Sequence, residues 1–200
     1  MVTLDDLYKD VIKHPMNMSV FGEKDIITNL LIAMNTQQMI ELGVQTGQST
    51  IIFLKALQST GGKLWSCDVD PLHGRIATID PQPNWTFTKG NDLDTVVDAP
   101  EDCDVIFIDT FHQYEHTIKE IKAYKKHLKP GGIFLLHDTW NPEFYGVTMA
   151  IGYFLQYYKG SHFYNFEQNY GLGVFSLGDF PESIKPFLVE TKKYMGLHSF

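Results

Sequence analysis

The chain has 200 residues, 44% of them hydrophobic and 20% charged, enough for one globular domain with a sizeable core. Its formal net charge of -8 excludes a general binder of nucleic acid or of an anionic membrane surface, though not a pocket for a cationic ligand. No apolar run approaches a membrane span, and the opening MVTLDDLYKD is too charged for a signal peptide, so a cytoplasmic placement is expected.

In chain order, residues 3–13 and 23–35 read as two helices. Met39–Val44 is a strand that runs into a turn carrying Gly43 and Gly47, and Ser49–Gln58 is a helix closed by Gly61 and Gly62. Lys63–Val69 is a second strand, residues 72–79 a short helix, and Trp85–Lys89 a third strand. The fourth, Cys103–Asp109, is apolar until its terminal acid. Residues 114–128 show Tyr114, Ile118, Ile121 and Leu128 at helical spacing, and Lys-Pro-Gly-Gly at 129–132 stops that helix. GIFLLHD is a fifth strand, residues 143–158 are helical, and HFYNFEQ with GLGVFSL forms a final antiparallel pair.

Strands that are nearly continuous apolar runs, alternating with helices, predict a doubly wound, mostly parallel α/β sheet covered on both faces. Ligands in such sheets bind beyond the carboxyl ends of the strands. Those ends carry Glu41, Asp68, Asp109, His137 and Asp138, five polar groups for which a packed core has no use. The glycine turn lets a ligand approach the backbone and the free N–H groups of the next helix. It is not a dinucleotide fingerprint, because Gln45 and Gln48 stand where the second and third glycines belong. Cys67 and Cys103 lie within or at the start of strands, where buried free thiols are expected rather than a disulfide.

ELGVQTGQST, SCDVDP, IDTFHQYE and LKPGGIFLLHDT resemble, in order and spacing, class I S-adenosylmethionine-dependent methyltransferases. The nearest likeness is to the small O-methyltransferase branch of catechol-type, macrolide-sugar-type and cephalosporin-cluster enzymes. The resemblance spans residues 37–140. It implies a Rossmann-like fold in one domain over 1–200, with N-terminal helices in 1–36, a cofactor-binding core in 37–140 and an acceptor side in 141–200.

Residue by residue, it implies that Glu41, Gly43 and Gly47 wall the methionine part of S-adenosyl-L-methionine. Asp68 takes the ribose hydroxyls, since a carboxylate accepts two hydrogen bonds at once; Asp70 suits a helix cap better. Asn91 and Asp92 stand where the family contacts adenine, and Asp109 opens the acceptor side. Asp109 and Asp138 match the acids that bind a divalent cation in metal-dependent members, with His137 or Thr139 as the departing third position. His112 matches the general base, while His137 either contacts the site or orients Asp138. A hard oxygen set points to Mg2+.

Other polar features have plainer readings. His116, four residues after His112, has helical ligand spacing, but no third ligand is expected to complete that pair, and Asp109 is the better partner. The lysines at 119, 122, 125, 126 and 129 suit a solvated helix face. YFLQYY at 153–158 suits core or the subunit interface of a homodimer, with a wall of the acceptor pocket as the alternative, and Trp140, Tyr145 and Tyr170 are candidate acceptor contacts. The expected activity is O-methylation of a small molecule or sugar hydroxyl with metal assistance. A metal-independent N- or O-methyltransferase and a non-catalytic cofactor-binding module stand as alternatives, with a nicotinamide oxidoreductase last.

Overall fold

The computed structural model describes residues 2–13 and 23–188, so the expected N-terminal and C-terminal portions fall partly outside the described residues. Seven strands form one sheet: β1 (Gln38–Leu42), β2 (Lys63–Asp68), β3 (Trp85–Lys89), β4 (Cys103–Ile108), β5 (Leu128–His137), β6 (His162–Phe166) and β7 (Leu172–Ser176). Their order is β3-β2-β1-β4-β5-β7-β6. The pairs from β3 to β5 are parallel, whereas β5–β7 and β7–β6 are antiparallel.

The helices are α1 (Leu4–Lys13), α2 (Lys24–Ala33), α3 (Gln48–Thr60), α4 (Asp92–Thr95), α5 (Tyr114–Tyr124) and α6 (Tyr145–Tyr157). Alternation along each strand sends side chains to opposite faces. In β4, Val105 and Phe107 join the core beneath α1, α2 and α3, while Ile106 and Ile108 join the core beneath α5 and α6. Both faces are therefore covered, which is why these strands are apolar without a polar alternate.

Three expected elements differ from the sequence reading. The run Lys129–Gly132 lies inside β5, where Cys103 pairs with Leu128 and Val105 next pairs with Ile133. Five residues of β5 thus face two of β4, and the Pro-Gly-Gly stretch forms an irregular start to the strand. The helix before it is correspondingly shorter: α5 ends at Tyr124 and a 3-10 turn covers Lys125–His127. Residues 72–79 hold only a 3-10 turn at Ile76–Thr78. No helix among the described residues is long and apolar enough to cross a membrane. Both cysteines are free and buried, and burial pushes their thiols up to about 11 and about 12.

Candidate active site

The strand order reverses between β1 and β4, and the crevice at that reversal is where this architecture binds ligands. A cleft of about 770 Å3 opens there, within the range of small-molecule sites. Its floor is the β1–α3 turn. Gly43 has φ +90°, and a Cβ there would lie 2.1 Å from the carbonyl oxygen of Asp109. Only glycine lets the β1 and β4 ends approach so closely. Gly47, at φ +81°, begins α3, and a Cβ on it would press 2.4 Å from the Ile76 side chain. Gly43 lines the cleft; Gly47 supports the turn from outside the lining.

Glu41 is completely buried behind this turn rather than on the cleft surface. Its carboxylate accepts hydrogen bonds from Ser49 Oγ at 2.6 Å, Thr50 Oγ1 at 2.8 Å and Ser66 Oγ at 2.6 Å. Burial pushes it up to about 7, against the pull of those hydroxyls. The acid and the two hydroxyl residues that follow the glycines are thus one internal brace. Asp68, at the end of β2, lines the cleft. Its Oδ2 accepts the amides of Val44 at 2.7 Å and Gln45 at 2.8 Å, and its Oδ1 accepts Asp70 N at 2.9 Å. Asp70 is exposed, and its amide turns back to Asp68 within this loop. Asn91 caps α4 by accepting Leu93 N at 3.0 Å. Asp92, its neighbour on the cleft, turns its carboxylate to His116 Nε2 at 3.1 and 3.2 Å.

The opposite rim gathers Asp109, His112, His137 and Asp138. His112 Nε2 lies 2.9 Å from Asp109 Oδ1 and 3.0 Å from Asp138 Oδ2. Its ring stacks on Phe144, with centroids 4.6 Å apart. Burial lowers the imidazole's proton affinity, but the two carboxylates outweigh it and raise His112 to about 9. Burial likewise raises Asp109, yet the attraction of His137 and the hydrogen bond to His112 bring it down to about 2. Asp138 is also held well below the usual carboxylate range: burial opposes this, and His112, His137 and the Asn141 amide at 2.9 Å overcome it. His137 lies 3.4 Å from Asp109 and 3.5 Å from Asp138 through Nδ1, and its Nε2 is 3.5 Å from Glu23.

The structure thus brings Asp109, His112, His137 and Asp138 together, and places Gly43, Asp68, Asn91 and Asp92 along the same cleft. It separates His112 from His116, whose partners are Asp92 and Glu120. Thr139 donates to Asn165 at 2.6 Å and does not line the cleft. Of the aromatic candidates Tyr170 lines the cleft, whereas Trp140 and Tyr145 are exposed outside it. Lys122 and Lys125 sit over the rings of Tyr153 and Tyr158, each 4.9 Å from the centroid. Lys122 thus joins α5 to α6, and Lys125, in the turn after α5, meets Tyr158 just past the end of α6.

Sequence reasoning missed Glu23, Asn141 and Phe144. Glu23 carries no signal, since an acid before a helix is an ordinary terminal residue. Asn141 follows Asp138 by three and Phe144 by six, both within the loop expected to set acceptor specificity.

A divalent cation fits the second rim. One donor atom from each of its four residues lies within 4.8 Å of the others, and both buried ring nitrogens of His137 lack hydrogen-bond partners. Apart from His112, the set is two carboxylates and the His137 imidazole, which suits zinc-type transition ions better than the all-oxygen surroundings that magnesium prefers.

A family model described as a methyltransferase domain matches residues 40–139. Among solved structures, an SAH-bound methyltransferase from Podospora anserina (SAH, S-adenosylhomocysteine) is similar over 88% of this chain and 88% of its own, with a TM-score of 0.69 and 11% identity. A Staphylococcus aureus protein assigned as a caffeoyl-CoA O-methyltransferase covers 86% of this chain and 90% of its own, with a TM-score of 0.68 and 16% identity. An O-methyltransferase from Bacillus cereus in complex with SAH covers 86% and 88%, with a TM-score of 0.64 and 16% identity. These identities speak for the fold alone. No curated protein matches the chain.

Proposed function

The chain belongs to the methyltransferase-domain family, and on that premise we propose that it is an S-adenosylmethionine-dependent O-methyltransferase acting on a hydroxyl of a small molecule or sugar. The observation that carries this is the double use of Asp109. Its backbone carbonyl packs against Gly43 in the turn, and its carboxylate holds His112. One residue therefore couples a cofactor floor to a candidate base. SAH in the Podospora anserina and Bacillus cereus structures supports the choice of cofactor.

S-adenosylmethionine supplies an already activated methyl group, so the protein's task is alignment and proton removal. Gly43 opens the floor for the methionine part, with Glu41 and Gly47 fixing the turn from behind. Asp68, oriented by three amides, keeps one of its roughly four acceptor sites, on Oδ1, for a ribose hydroxyl. Asn91 and Asp92 border the adenine end. Asp109, Asp138 and His137 would hold a divalent cation, which when bound would lower the pKa of an acceptor hydroxyl, and His112 would be left outside the ligand set as the base. Asp109 and Asp138 keep His112 charged while their own charge is unmatched. With that charge matched, the imidazole would be neutral and its free Nε2 lone pair could accept the hydroxyl proton.

A second reading has its own support. His112 Nε2 already bridges both carboxylates, the place a cation would take. A metal-independent enzyme would use His112 alone on an amine or a more acidic hydroxyl.

The test is SAH release from S-adenosylmethionine against a panel of hydroxyl-bearing and amine-bearing small molecules, with chelator and with Mg2+ or Zn2+. Turnover of hydroxyl acceptors that disappears on chelation is expected. Undiminished turnover under exhaustive chelation supports the second reading, and turnover of amines alone contradicts O-methylation.

A further inference from the structure

On the α4–α5 wall of the cleft lies a second polar cluster, of which the proposed function uses only Asp92, at the adenine end. His116 and Glu120 stand one helical turn apart on α5, on the same face, and Asp92 opens α4 opposite them. His116 Nε2 is 3.1 and 3.2 Å from the two oxygens of Asp92 and 3.7 Å from Glu120 Oε1. One donor atom from each residue lies within 4.8 Å of the others.

Glu120 is completely buried. Thr110 Oγ1 donates to its Oε1, but its Oε2 has no hydrogen-bond partner. Among the described residues, His116 is the only ion-pair partner of either acid. Two buried carboxylates side by side repel, and burial with the nearby Asp92 charge pushes Glu120 up to about 8. A proton relieves that repulsion. A divalent cation relieves it more fully, and beside the oxygen that Thr110 already bonds, Glu120 has a second, unpartnered one to offer it.

We propose that Asp92, His116 and Glu120 form a second divalent-cation site, of zinc type, distinct from the Asp109–Asp138 cluster. An imidazole with two carboxylates is a ligand set that zinc accepts. Ligand atoms about 2.0–2.1 Å from one tetrahedral ion stand roughly 3.3–3.4 Å apart, and the observed separations of 3.1 and 3.7 Å straddle that value. Asp92 and His116 line the cleft, so a coordination position faces solvent or a bound ligand. The ion ties α4 to α5 and fixes this wall. Asn91 then remains as the adenine-side contact.

The experiment is titration of chelator-treated full-length protein with Zn2+ by calorimetry, and with Co2+ by its visible absorption. The two clusters are separated by using an Asp109→Asn/Asp138→Asn background. One ion should still bind to that protein, and adding either Glu120→Gln or His116→Gln should weaken its binding at least a hundredfold. If the double variant does not fold, wild type compared with His116→Gln reads the same difference, a loss of one equivalent. Failure of the folded double variant to bind Zn2+, or unchanged binding after either added substitution, overturns the proposal. Neither readout uses methyl transfer, so the result stands apart from the proposed activity.

Discussion

The two rims of the cleft are built in opposite ways. On the β1–β2 side every acid is satisfied by neutral donors: Asp68 by three backbone amides, Glu41 by three hydroxyls. On the β4–β5 side the acids face imidazoles. His112 and Asp138 sit at φ 52° and 58°, a region that costs a side chain energy. Behind them the carboxylate oxygens of Glu23 and the ring nitrogens of His137 are buried without hydrogen-bond partners. Strain and unmet polar groups collect where charge must move, and a settled, neutral-donor rim suits a ligand that is only held. The first rim has one positive-φ residue besides glycine, Gln45, within the turn itself.

Substitutions should obey this division. The largest effect is expected from His112→Ala, which should lower turnover by about 10²–10⁴-fold, the usual share of a general base, and barely alter SAH affinity. Equal loss of both would merge the rims. Next is the proton affinity of His112, raised from 6.5 to about 9, a change of roughly 300-fold. NMR titration of the chelator-treated protein should place the imidazole midpoint near 9; a midpoint near 6.5 would mean the acids do not clamp it. The folded-state value lies above the unfolded one, so the contribution to stability is complete below about 6.5 and is lost as pH rises through about 9. The melting temperature of the chelated protein should therefore fall over that interval.

Smaller effects belong to the other rim. Asp68→Ala should weaken SAH binding by about 1.5–3 kcal/mol, the scale of hydrogen bonds to a charged group, in calorimetric titration. Unchanged affinity would remove Asp68 from the ribose role. Gly43→Ala should destabilise the fold by about 1–3 kcal/mol in urea unfolding, because its Cβ meets the Asp109 carbonyl. It is the one change on the β1 side that should also disturb the acids of the other.

Much of this division is legible in the sequence. The parallel strands announce themselves as apolar runs, and their terminal acids fall on one rim because the sheet is parallel. Local signals mislead where pairing decides. Lys129–Gly132 has the chemistry of a helix stop, but its neighbours pair with β4 and draw it into β5. Glu41 stands among the glycines and reads as a wall of the cofactor site, yet hydroxyls eight, nine and 25 residues away hold it behind the turn. Glu23 meets His137 only because the fold brings α2 to the end of β5. No periodicity records such a contact.

The most direct test of the two-rim account is a crystal structure of the SAH complex. The account predicts a ribose hydroxyl on Asp68, the homocysteine part over Gly43, and the sulfur facing the Asp109–His112–Asp138 rim. A ribose away from Asp68, or a sulfur turned from His112, would contradict it.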